Sequence, residues 1–206
     1  MATRRAEIRE ARQQARERIV AAAEALVRRE SYGTLTVDDV MREAGIGRTI
    51  FYRHFDDLAD LLRQAGREAI DEIFEAQEAL QAARMGDSLE VVRAAIEPAV
   101  AVYRRHGPLL RTIAEAAASE EQIAAGQEAM RRRFDELVED ALRAMPAVMA
   151  DPPADLRETA RALNLMNESY LRDAFGREPR VSAETAIQTL TEIWFAVIHP
   201  RGNGRV

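Results

Sequence analysis

The chain has 206 residues, of which 47% are apolar and 31% charged, with a formal net charge of −6. This describes a folded protein of one sizeable domain, or of a small head and a larger body, and excludes a disordered chain. With no cysteine, a disulfide framework, thiolate zinc sites and thiol catalysis are excluded too. No apolar run approaches the roughly 20 residues that span a bilayer. The N-terminal stretch has no apolar h-region, so a secretory signal is not expected and the cytoplasm is the expected address. Charge is unevenly spread: residues 1–55 carry 11 Arg against 8 acids, and the remainder carries 18 Arg against 27 acids. A basic head on an acidic body confines attraction for polyanions to one end. All 29 basic residues are arginine, which fits a compositional bias in an alanine-rich chain.

Helical periodicity dominates. Ile19, Ala22, Ala23, Leu26 and Val27 form an i, i+3, i+4, i+7, i+8 stripe, so a first amphipathic helix is predicted there. "SYGTL" ends it, with Gly33 at the expected left-handed position. Thr36 to Asp39 reads T-x-x-D, a capping pattern that opens a short second helix ending at Gly45. A third runs from about Gly47 to Phe55. A long fourth carries Leu58, Leu61, Leu62, Ala65, Ala69, Ile73 and Leu80. "MGDS" and "HGP" bracket a fifth and a sixth, about 88–105 and 108–118, the fifth with a kink expected at Pro98. A seventh spans about 120–145, ending at the proline-rich "MPAVMADPPAD". Two more, about 154–175 and 182–198, precede the tail "RGNGRV", expected to fray. No strand-like alternation or internal repeat appears. The expected fold is all-α, with about nine helices: a head over 1–57, a body over 58–200 and a frayed tail over 201–206.

Two short helices around a glycine-containing turn have the proportions of a helix-turn-helix. Val37, Val40, Met41 and Ala44 give the second helix an apolar face, and Ile46 points back into a small core. On the third, Phe51 and Phe55 suit burial, whereas Arg48, Thr49, Tyr52 and Arg53 are polar-tipped candidates for phosphate oxygens or base edges. His54 can donate to a phosphate. An N-terminal arm holding Arg4, Arg5, Arg9, Arg12, Arg16 and Arg18 can neutralise further phosphates or enter a minor groove. The alternative for "FYRHF" is an aromatic core cluster with solvated charges. Tyr52, Arg53 and His54 cannot all face a core at once.

The run "RIVAAAEALVRRESYGTLTVDDVMREAGIGRTIFYRHFDDLADLL", residues 18–62, resembles the DNA-binding head of the TetR family of transcriptional regulators. The resemblance implies a three-helix head whose third helix enters the major groove, and a fourth helix leading into a ligand-binding, dimerising body. By position, it implies DNA contacts at Thr36, Gly47, Arg48, Thr49, Tyr52, Arg53 and His54. Two residues depart from the family pattern. Gly47 replaces a usual serine or threonine, removing a helix cap and a phosphate hydroxyl, and Leu58 replaces a common lysine at the start of the fourth helix.

In the body, Asn164 and Asn167 share one helix face beside Leu163, Leu165, Met166 and Leu171. Amides among apolar residues are costly to bury without partners. A ligand carbonyl or carboxylate is one such partner, and neighbouring protein groups or water are another. Trp194, the only tryptophan, shares a stripe with Ile187, Leu190 and Ile198, which suits core, dimer interface or pocket wall. Residues 162–198, above all "ALNLMNE" and the "IW" of the last helix, resemble the EthR-like branch of the same family, actinobacterial repressors with an apolar ligand tunnel. That resemblance implies ligand contacts at Asn164, Asn167 and Trp194. Extended more weakly, it implies aromatic contacts at Tyr103 and Phe134, with Val92, Ile96, Ala99, Met130 and Val138 as apolar wall. Gln127 and Arg131 stand where the branch has bulky apolar groups, which implies a differently shaped or more polar cavity.

Apolar content on more than one face of the last two helices suits a homodimer interface formed by them. A two-fold dimer would read a pseudo-palindromic operator on double-stranded DNA. The expected function is a repressor released by a small, largely apolar effector, with no cofactor, no metal and no membrane partner. Alternatives are an effector-independent regulator or activator, and, more distantly, an enzyme or small-molecule carrier. His54, His106 and His199 lie in separate segments with no HExxH spacing, G-x-S-x-G is absent, and "GIGRTI" lacks the third glycine of a dinucleotide loop.

Overall fold

Alanine, arginine, glutamate and glutamine fill most of the first 30 residues without a glycine or proline, and all four favour helix. In the computed structural model, which describes residues 2–82 and 88–199, α1 accordingly runs the whole way from Ala2 to Val27. The stripe Ile19, Ala22, Ala23, Leu26 and Val27 is buried as the periodicity predicts. The stretch expected to be an arm is instead the exposed leading part of the same helix, supported by i, i+4 bonds between Gln13 and Glu17 and between Gln14 and Glu10. Leu26 O closes the helix by accepting from Arg29 N and Glu30 N, at 3.0 and 2.9 Å. Gly33 is not left-handed: it sits in a 3-10 turn, Tyr32–Thr34.

Eight more helices follow: α2 (Val37–Ala44), α3 (Arg48–Phe51), α4 (Leu58–Ala82), α5 (Leu89–Ala116), α6 (Glu121–Ala144), α7 (Pro146–Ala150), α8 (Leu156–Phe175) and α9 (Ala183–Ile198). No strand occurs among the described residues. The helix number agrees with expectation through two opposite differences. The predicted fifth and sixth helices are one, since α5 runs unbroken through Pro98 and "HGP". The proline-rich segment in turn holds the extra short α7, with Pro146 at its first turn, where a missing N–H costs nothing. Leu80 and the tail 201–206 lie outside the described side chains.

Capping explains several starts. Thr36 Oγ1 accepts from Asp39 N at 3.2 Å, Asp155 Oδ1 from Glu158 N at 3.0 Å, and Ser182 Oγ from Thr185 N at 3.0 Å. Before α4, Asp57 Oδ1 accepts from Asp60 N at 2.7 Å while Asp60 Oδ2 accepts from Asp56 N at 3.2 Å, a reciprocal box.

The described residues form two compact units. One comprises residues 1–68 and 108–124, the other 69–107 and 125–206, so α4 and α5 each contribute to both. Residues 108–124, in the expected body, thus belong to the first unit. Its core gathers the α1 stripe, Leu35, Val40, Met41, Phe51, Phe55, Leu61 and Leu62. In the second unit, Val92, Leu142, Val148, Ala160, Leu163 and Ile198 form one buried cluster, edged by Val138, Met166 and Trp194.

Candidate functional site

The head is built around two buried rings. Phe51 and Phe55 are 0% and 2% exposed, with centroids 5.5 Å apart. Spaced four apart, they fix the inner side of the third helical segment. Arg48, Thr49, Tyr52 and Arg53 are then left exposed, and His54 half-buried. The regular helix α3 is shorter than the spacing predicts, but its hydrogen bonds continue as a turn: Arg53 N donates to Ile50 O, His54 N to Phe51 O and Phe55 N to Phe51 O. Gly45, at φ 65°, supplies the left-handed residue that ends α2, its N–H donating back to Arg42 and Met41. Gly47 caps α3 with no side-chain bond, and a Cβ there would meet nothing within 4 Å.

Arg48 is engaged within the chain. Its Nη1 reaches both oxygens of Asp38, at 2.8 and 3.0 Å, and its Nη2 donates to the Tyr52 hydroxyl at 3.0 Å. The Tyr52 hydroxyl and then the Asp38 charge hold the guanidinium even more firmly protonated. Burial, then the charges of Arg12, Arg16 and Arg53, hold the His54 imidazole below its usual range, which favours its neutral, single-donor form. Thr36 is exposed at the start of α2 with its hydroxyl already in the cap.

Three of the six arm arginines have structural partners. Arg18 donates to Ala44 O at 2.6 Å, closing the C-terminal end of α2. Arg16 pairs with Glu68 and lies 5.5 Å from the Phe55 centroid. Arg12 donates to the Arg53 carbonyl at 3.1 Å. From α5, Arg111 likewise donates to Val27 O at 2.9 Å, at the end of α1.

In the second unit, the residues expected to meet a ligand are distributed over α5, α6, α8 and α9. Tyr103 is 8% exposed. Met130, Phe134, Asn164, Asn167 and Trp194 are half-buried. Both asparagines have protein partners: Asn164 Nδ2 donates to Asp135 Oδ1 at 2.8 Å, and Asn167 Oδ1 accepts from Trp194 Nε1 at 3.0 Å. Phe134 stacks on Phe74 with centroids 4.0 Å apart, and the Arg133 guanidinium lies 3.8 Å from the Phe74 centroid. Val92 and Ile96 are buried, and Ala99 and Val138 half-buried.

Sequence reasoning missed Phe74, Asp135, Glu168 and Arg172. The last two carried a signal, since Asn164, Glu168 and Arg172 recur every four residues along one helix face. Arg131 Nε and Nη2 both donate to Glu168, at 2.9 and 3.1 Å, and Arg172 Nη1 adds a third bond at 2.9 Å. Burial pushes the Glu168 carboxyl up, but bonds and charge from Arg131, followed by Arg172, outweigh it and hold the group below the usual carboxylate range. No described helix is long and apolar enough to cross a membrane, and no group of three or more described His, Asp or Glu side chains is placed to hold a metal ion.

A helix-turn-helix with an exposed polar third segment, attached to a larger helical unit, defines a DNA-binding transcriptional regulator. The family models agree: "Bacterial regulatory proteins, tetR family" matches residues 19–65, and "Transcriptional regulator EthR, C-terminal domain" matches residues 92–200. The chain belongs to the TetR family of transcriptional regulators, in its EthR-like branch. It is similar to the transcriptional regulator EthR of Mycobacterium tuberculosis, 29% identical over 189 residues covering 88% of this chain and 85% of that one. It is also similar to EthR of Mycolicibacterium smegmatis, at 27% over 190 residues covering 88% and 84%. Among solved structures, the TetR-family regulator PfmR of Thermus thermophilus shares the fold at a TM-score of 0.72 and 20% identity, covering 91% of this chain and 99% of that one. The body match begins at residue 92, well before the stretch 162–198 in which the sequence resemblance is concentrated.

Proposed function

We propose that the protein is a homodimeric repressor that releases a pseudo-palindromic operator when a small effector occupies the body. The observation that carries the DNA half is the exposed set Arg48, Thr49, Tyr52 and Arg53, fixed from behind by the buried Phe51 and Phe55. Thr36 and Gly47, at the N-terminal ends of α2 and α3, and His54 complete the contacts to the duplex. Residues 1–57 serve as the reading head and 58–200 as the effector and dimerisation body, working in the cytoplasm. The last two helices meet the partner copy. Leu165 on α8 and Ile193 on α9, 42% and 39% exposed, support that reading. Effector binding need only favour the DNA-incompetent state. A hundredfold preference shifts the balance by about 2.7 kcal/mol.

Tyr103, Met130, Phe134, Asn164, Asn167 and Trp194 are the effector contacts of this reading. One observation favours a second reading, a regulator without an effector: Asn164 and Asn167 already have protein partners. Fluorescence anisotropy on upstream DNA, across salt, with Arg53→Ala and Tyr52→Phe alongside wild type, tests the DNA half. Wild type should exceed its binding to a scrambled duplex, and Arg53→Ala should lose roughly tenfold or more in affinity. Equal binding to scrambled DNA, followed by failure to select an operator from random duplexes, would end the proposal. DNA release by no compound of a broad apolar library would favour the effector-free reading.

A further inference from the structure

One polar cluster in the second unit serves no capping or surface role. Glu168 Oε1 accepts from Arg131 Nη2 and from Arg172 Nη1, and Oε2 accepts from Arg131 Nε, so its acceptor sites are largely used. Two guanidinium groups therefore share one carboxylate. The next acid, Glu128, comes only within 3.9 Å of Arg131 Nη1, from a position 45% exposed. Arg172 engages Glu168 through Nη1 alone, which leaves further N–H donors on the same fork.

Tyr103 lies within electrostatic reach of all three charges and is 8% exposed. Its hydroxyl makes no hydrogen bond among the described residues, an expensive condition for a buried donor. Burial and then the Glu168 charge push the phenol above its ordinary range, so it stays protonated and able to donate. Ile96 and Val100 precede Tyr103 by two turns and one turn on the same helix face, and both are buried. Unused donors, surplus positive charge and adjacent apolar surface ask for one kind of ligand.

We propose that Tyr103, Arg131, Glu168 and Arg172 form the polar end of the effector site and receive the carboxylate of an amphipathic acid, with Tyr103 and Arg172 donating to its oxygens. This rests on the body's binding an effector, and it adds the ligand's chemical class. A monoanion matches the single surplus charge, and Arg131 with Glu168 holds Arg172 and the helix pair in position.

The test uses the full chain and matched ten-carbon probes: decanoate, decan-1-ol and methyl decanoate, titrated calorimetrically into wild type, Tyr103→Phe and Arg172→Gln. Tyr103→Phe keeps the ring and removes only the hydroxyl, and melting temperatures confirm that both variants fold. Decanoate should bind wild type at least about tenfold more tightly than either neutral probe, and each substitution should weaken decanoate roughly tenfold while leaving the neutral probes unchanged. Equal binding of acid and neutral probes, unchanged decanoate affinity in both variants, or no decanoate binding would each overturn the proposal. If uncharged compounds nonetheless release operator DNA, the effector reading survives and only the carboxylate falls. If no compound of either kind releases DNA, both fall.

Discussion

Replacing Gly107 with alanine sets two physical effects of opposite sign against each other. Gly107 is inside α5, where glycine costs about 1 kcal/mol relative to alanine, so propensity alone predicts stabilisation. A Cβ at this position, however, would stand 2.6 Å from the Phe175 carbonyl carbon and 3.2 Å from Gly176 N, and closer still to the Phe175 oxygen. These are backbone atoms at the end of α8, so no rotamer change relieves the overlap and the two segments must separate. Overpacking of this kind costs roughly 1–3 kcal/mol, and contact with rigid backbone belongs at the upper end of that range. The expected net is a loss of about 1–2 kcal/mol, or a fall of roughly 2–8 °C in melting temperature at this chain length. Gly126→Ala is the control: Gly126 lies in α6, a Cβ added there would meet nothing within 4 Å, and the substitution should gain about 0.5–1 kcal/mol. Urea and thermal unfolding of the two variants measure both signs. Equal stabilisation by the two substitutions would refute the close-approach reasoning.

Asp38→Asn should free Arg48 for phosphate, tightening operator binding several-fold and steepening the logarithmic salt slope by about one contact, as read by anisotropy at several salt concentrations. Weaker binding would mean that Asp38 orients Arg48 for DNA instead of competing for it. Gly47→Ser places a hydroxyl at the α3 cap, in open space and at φ −71°, ψ 143°, and should add a few tenths of a kcal/mol to head stability while strengthening DNA binding. The folded-state pKa of His54 is depressed, so the unfolded chain, titrating near 6.5, binds more protons and stability is lost as pH falls below about that value. His54→Asn should therefore lose less stability than wild type between pH 7.5 and 5, measured as urea midpoints.

Periodicity made much of this protein legible before its structure. The stripe from Ile19 to Val27, the T-x-x-D cap before α2 and the left-handed Gly45 are local features, set by side-chain spacing and backbone sterics. So is the split of "FYRHF" into buried Phe51 and Phe55 and outward Tyr52 and Arg53, because a helical turn cannot turn five consecutive residues inward. The leading half of α1 escaped because it has good helix formers but no apolar stripe. The "HGP" sequence misled for a different reason. Its glycine reads as punctuation when only the chain is considered, yet α5 continues through it, and the missing Cβ is needed for close approach to the end of α8. Arg131 was legible as a polar intruder, but its partners Glu168 and Arg172 come from another helix.

The sequence by itself determined the helices, the family and the side of the third helix that faces outward, since each follows from short-range spacing. Only the tertiary structure decided which polar groups are already satisfied. Asn164 with Asp135, Trp194 with Asn167, and Arg48 with Asp38 are partners 29, 27 and 10 residues apart. Tyr103 remains without one among the described residues. Hydrogen-bond satisfaction depends on distances of a few ångströms between distant segments, and no periodicity encodes them.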